Sequence, residues 1–92
     1  DELKPDVAVQ RVQALIDRDK VDFVVGPIFS NVLQAIHQPV VSSQRAFLIS
    51  ANAGPSSYAG RGCHENFFVT SYQNDQVHEV LGAYAQRQGM QK

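Results

Sequence analysis

Two segments carry the residues best suited to chemistry: Gly26-Pro27-Ile28-Phe29-Ser30-Asn31 and Ser50-Ala51-Asn52-Ala53-Gly54-Pro55-Ser56. Each follows a short apolar run, Val24-Val25 in the first case and Phe47-Leu48-Ile49 in the second. Ser30 offers a hydroxyl, and together with Asn31 it offers backbone N–H groups at the positive end of the helix expected next. That arrangement suits a carboxylate; the same serine could equally serve as a plain helix cap. Asn52, Ala53 and Gly54 leave little side chain in the way of a close backbone approach, and they could also form an ordinary turn. Phe29, Tyr58 and Tyr72 are candidates for an apolar wall, or for packing alone. In open parallel sheets, ligands sit in the crevice outside the carboxyl ends of the strands. Both segments should therefore face one crevice, built from amides and hydroxyls rather than acid–base groups.

Reactive constellations are largely missing. The sequence has no Gly-x-x-x-x-Gly-Lys-Ser/Thr, and the glycines at 54, 60 and 62 do not fit Gly-x-Gly-x-x-Gly after a strand. Ser30 stands at a strand-to-helix elbow, but its neighbours are Phe29 and Asn31 rather than the glycine frame of a nucleophile elbow. His37, His64 and His78 share no metal-ligand spacing, and His64 beside Cys63 lacks a third ligand. All three histidines are expected at the surface or partly buried, and Cys63 is expected to be a buried, inert thiol. Arg45 and Arg61 flank the second segment and could clamp an anion, although solvated arginines are the expectation. No carboxylate pair is set up for acid–base work. No cofactor or metal is expected, and neither is an enzyme.

The elements that must position these groups alternate in type. Pro5 suits a first helical turn, and Ala8, Val12, Leu15 and Ile16 form an apolar stripe, which predicts a helix over about 5–18. Val21 to Val25 reads as a strand buried on both faces, as in parallel sheets. A helix then starts at Ser30, with Val32, Leu33 and Ile36 inward; Pro39 should kink it or end it early, with Val40 to Ser43 able to resume it for a turn. Ala46 to Ile49 forms the second strand, followed by a loop from Asn52 to about Glu65. Phe67 to Val69 forms a third strand. Asn74 or Asp75 caps a last helix carrying Val77, Val80, Leu81 and Tyr84, and Gly89 closes it. This order predicts an α/β fold, a mostly parallel sheet with flanking helices.

Composition narrows the class. The 92 residues are 43% hydrophobic and 18% charged, which suits a folded chain. A net charge of −1 with scattered basic residues argues against nucleic acid. No apolar run approaches the roughly 20 residues of a membrane span. Asp1-Glu2-Leu3-Lys4-Pro5 has no signal-peptide pattern, and the first helix has no strand before it. Gly89-Met90-Gln91-Lys92 reads as a helix stop before a strand that does not follow. We therefore expect a fragment of a larger protein.

Three blocks, Val24 to Asn31, Phe47 to Ser56 and Asn66-Phe67-Phe68-Val69-Thr70-Ser71-Tyr72-Gln73-Asn74-Asp75, carry a resemblance. In order and spacing they resemble the leucine/isoleucine/valine-binding type of periplasmic solute-binding proteins, the capture subunits of ABC transporters. The resemblance implies a type I periplasmic-binding fold, two lobes closing over a solute. Residues 1–71 would be part of the first lobe, 72–75 a hinge crossing, and 76–92 the first helix of the second lobe. It also implies that the hydroxyl at Ser30 and the loop at Asn52 to Gly54 hold a solute carboxylate. The implied ligand-binding set is Phe29, Ser30, Asn31, Asn52, Ala53, Gly54 and Tyr72. Amino-acid binders of this family usually carry a Thr or Ser hydroxyl near the position of Gly54. The variant seen here is similar to members that take aromatic acids or other non-amino-acid carboxylates.

The expectation is thus an extracytoplasmic, periplasmic capture protein whose partners are a small carboxylate solute and a membrane permease. With half of its cleft missing, the fragment should bind solute weakly or not at all. It should instead self-associate through orphan apolar surface. Two alternatives stay open: a ligand-sensing domain of a receptor or regulator, and an α/β hydrolase using Ser30.

Overall fold

Pro5 enters the first helix where its missing N–H costs nothing, and the helix runs Pro5–Asp17 (α1). In this computed structural model, which describes residues 2–90, Ala8, Val12 and Ile16 are the buried stripe of α1. Strand β1 (Phe23–Val25) follows, then helix α2 (Ser30–Ser42), strand β2 (Phe47–Ser50) and a turn of 3-10 helix (Ser56–Ala59). Strand β3 (Phe67–Val69) and helix α3 (Asn74–Arg87) complete the order. The strands form one parallel sheet in the order β1-β2-β3. Val24 pairs with Leu48, and Leu48 with Phe67, so these three line one face. That face is covered by α1 and α2, and Val32, Leu33, Ile36, Val40 and Val41 of α2 complete the core.

Two expectations are corrected here. The strands are buried on one face only: Phe23 is 61% exposed and Val25 67%. On that open face Phe23 stacks on Phe47 at 5.6 Å and Phe47 meets Phe68 at 6.2 Å. Second, α2 does not end early at Pro39: it runs as one helix to Ser42, so the turn expected to resume after the proline is continuous with the rest. The proline forfeits one backbone bond, yet Val40 and Val41 are fully packed and hold the last turn on the sheet. The Ser42 and Ser43 hydroxyls donate to the carbonyls of Gln38 and Val40 at 2.7 and 2.6 Å, which supplies partners near that end.

The segment after β2 is more ordered than expected. Its 3-10 turn places Tyr58 against His37 (4.4 Å between ring centroids) and Phe67 (5.1 Å), and His37 meets Phe67 edge-on at 4.9 Å. This three-ring cluster anchors the loop to α2 and β3. At the other end, α3 has no buried residue among those described. It starts with a capping box in which Gln73 and Gln76 satisfy each other's backbone, so the cap is Gln73 rather than Asn74 or Asp75. Gly89 follows the helix with φ 72°, as a C′ residue should; Gln91 and Lys92 lie outside the described residues. The molecule extends 56 × 28 × 18 Å. Among the described residues no helix is long and apolar enough to cross a membrane.

Candidate functional site

Both junctions leave the carboxyl edge of the sheet. At the first, Gly26 takes φ 122°, a conformation that side chains disfavour, and its N–H donates to Ile49 C=O at 3.0 Å. The chain then reaches Ser30 at the start of α2, with Phe29 in the cap position. Phe29 makes no side-chain cap bond to the helix, and the single hydrogen bond of Ser30 Oγ among the described residues is not to the helix backbone. The first helical bond here runs from Leu33 N–H to Phe29 C=O at 3.0 Å, leaving the N–H groups of Ser30, Asn31 and Val32 without an intrahelical partner. These donors, with the Ser30 hydroxyl, sit at the positive end of a 13-residue helix.

At the second junction, buried Ser50 turns the chain by donating its hydroxyl to Ala53 C=O. Ala53 is part of the core, so its methyl faces inward, while Asn52 is exposed. Gly54 is buried against the main chain of Tyr72 and Gln73. Its smallness therefore serves the crossing from β3 to α3. Asn74 joins the two junctions: Gly54 N–H donates to Asn74 Oδ1 at 3.2 Å, and Asn74 Nδ2 donates to Ser30 Oγ at 3.0 Å. Asn74 N–H also donates to Gly54 C=O at 2.7 Å. Phe29 and Tyr72 remain exposed at this edge. A cavity of about 280 Å³ adjoins it, lined by Gly54, Pro55, Tyr58, Phe67, Ser71 and Gln73.

A larger cleft of about 620 Å³ lies between the C-terminal halves of α1 and α2, lined by Gln13, Ile16, Asp17, Pro39 and Arg45 among others. It is at the amino end of the sheet, the wrong end for a ligand in an open parallel fold. Arg45 points its guanidinium there, donating to Lys20 C=O at 3.4 Å, so it does not flank the crevice. Arg61 lies instead near His37, Cys63 and His64. Cys63 is exposed, contrary to expectation, because the glycine-rich turn before it runs over the surface. Of the histidines, His37 is buried at 8% exposure with Nε2 unpartnered, and burial, then the charge of His64, lower its pKa. His64 accepts from Asn66 N–H at 3.0 Å, and His78 is exposed on α3. Among the described residues no three metal-ligating side chains cluster.

The family model for a periplasmic binding protein matches residues 1–92. The chain belongs to the periplasmic binding protein family. No curated protein and no solved structure gave a significant match. As a periplasmic binding protein it has a role in solute binding, and full-length members work outside the cytoplasm. The three-stranded parallel sheet with its helices is consistent with part of one lobe of a periplasmic binding protein. The structure brings Ser30 and Gly54 together, leaves Phe29, Asn31, Asn52 and Tyr72 exposed, and buries Ala53. Sequence reasoning missed Asn74 as a site residue. It is 44 positions from Ser30 and 20 from Gly54, and neither spacing belongs to a local motif.

Proposed function

We propose that this chain is the ligand-facing part of a first lobe, with its hinge crossing, of an extracytoplasmic solute-binding protein that serves an ABC transporter permease. The solute carries a carboxylate, on an aromatic acid or an amino acid. The observation that carries this reading is the cluster of free donors at the α2 N-terminus, beside a second loop, at the carboxyl edge of a parallel sheet. Ser30, Asn31 and the Asn52–Gly54 loop are the residues proposed to meet the carboxylate; Phe29 and Tyr72 supply apolar surface beside it. A capture protein needs preformed donors and a closed state of higher affinity, not a tuned base.

The domain boundaries belong to the same proposal: residues 1–71 in the first lobe, 72–75 crossing, and 76–92 opening the second. The exposed α3 supports that division, because a helix with Val77, Val80, Leu81 and Tyr84 in solvent is built to dock on something else. In isolation this stripe and the open sheet face favour pairing with a second copy. The hydrolase alternative gains no support at Ser30, whose only hydrogen-bond partner among the described residues is an amide NH₂ and not a base.

The test is a thermal-shift screen of the full-length protein with leucine, valine, benzoate and phenylacetate. A ligand selective for the folded state at a hundred times its Kd stabilises by about 2.7 kcal/mol. A shift with benzoate alone supports an aromatic-acid binder, and a shift with leucine alone supports an amino-acid binder. No shift with any of the four overturns the carboxylate reading.

A further inference from the structure

We propose that Asn74 is a positioning residue that biases the Ser30 hydroxyl to donate into the crevice, so that this end of the site favours hydrogen-bond acceptors. The inference rests on the functional reading above and extends it to a residue outside the expected ligand set. The chain of contacts begins at Gly54, whose backbone N–H can only donate. The Asn74 atom 3.2 Å away is therefore the amide oxygen. The other end of the amide, 3.0 Å from Ser30 Oγ, is then the NH₂ group. A hydroxyl that accepts there keeps its own proton for another acceptor, and among the described residues Ser30 Oγ has no other partner.

The surroundings reinforce this polarity. The N–H groups of Ser30, Asn31 and Val32 are also donors with no intrahelical acceptor. A carboxylate or carbonyl meets several donors here, whereas an ammonium group meets only the second lone pair of Ser30 Oγ. Asn74 also grips the Gly54 peptide from both sides, with its side chain on the N–H and its own N–H on the C=O. Because Asn74 is the first residue of α3, the two loops and the start of that helix are tied at one point.

The variant Asn74→Asp separates this role from a merely structural one. It keeps an acceptor for Gly54 N–H, and an acid suits the first turn of a helix. It cannot donate, so the Ser30 hydroxyl turns to donate to the introduced carboxylate and is withdrawn from the solute. In the full-length protein we expect Asn74→Asp to weaken binding of whichever of leucine, valine, benzoate or phenylacetate binds by about tenfold or more. In a Ser30→Ala background the same change should cost markedly less, leaving only the effect of the added charge. Equal losses in the two backgrounds overturn the proposal. An arm without ligand follows amide hydrogen exchange at Gly54, expected to be slow in wild type and Asn74→Asp and fast in Asn74→Ala. If Asn74→Ala leaves that exchange unchanged, the tie is absent and the proposal fails, while solute binding by wild type keeps the functional reading alive. If wild type binds none of the four, the functional reading fails and takes the Ser30 donor role with it; slow, Asn74-dependent exchange then supports the tie alone.

Discussion

A β-carbon added at Gly54 would lie 2.5 Å from the Tyr72 carbonyl oxygen and 3.4 Å from Gln73 Cα, both of them main chain. Neither can move without shifting the crossing into α3, so Gly54→Ala should cost about 1–3 kcal/mol, the range for overpacking. Urea unfolding of the full-length protein checks this, and an unchanged midpoint would refute it. The same contact explains why a side chain is missing at this position independently of any solute. His37 supplies a second test. Burial lowers its pKa below the ordinary 6.5, so the folded state holds it neutral while the unfolded chain takes up a proton. Its stabilising effect is full above pH 6.5 and is lost as pH falls through 6.5 toward the folded value. Unfolding midpoints measured at about pH 7 and about pH 5 should fall with acid, and His37→Phe, which also removes the unpartnered Nε2, should flatten the slope. Tyr58, Arg61, Cys63 and His64 are the titratable groups near His37, and all four are kept in that variant.

Helix α2 carries its load in spite of its sequence. An interior proline costs roughly 3 kcal/mol relative to alanine, and Pro39 is tolerated because the turn after it is held by Val40 and Val41. Pro39→Ala should therefore raise stability, by about 1–3 kcal/mol, as read by chemical denaturation; a loss would mean that the ring's packing outweighs the recovered backbone bond. The periodic stripes of α1 and α2 and the short β-branched runs were legible in the residues themselves, and so was Gly89 as the end of α3. The run through Pro39 was not, because a local rule says nothing of the sheet beneath. The 3-10 turn was equally hidden: its order comes from Tyr58 meeting His37 and Phe67, residues distant in the chain.

Across the whole molecule, apolar surface is left in water on two sides, the Phe23–Phe47–Phe68 face of the sheet and the Val77–Val80–Leu81–Tyr84 stripe of α3. The 92-residue chain alone should then associate with itself, its sedimentation mass rising with concentration. Leu81→Lys with Phe23→Lys should lower that mass, and a constant single-chain mass for the unaltered chain would sink the idea. Fold class, the sequence of elements along the chain and the two loops after the strands follow from hydrophobic period and from glycine and proline placement, which are local properties that nearest neighbours set. Which face of the sheet is covered, that Ala53 turns inward, and that Asn74 bridges Ser30 to Gly54 depend on segments meeting across 20 to 44 positions. Those meetings come from burying apolar area and satisfying polar groups in three dimensions, and no window along the chain contains them.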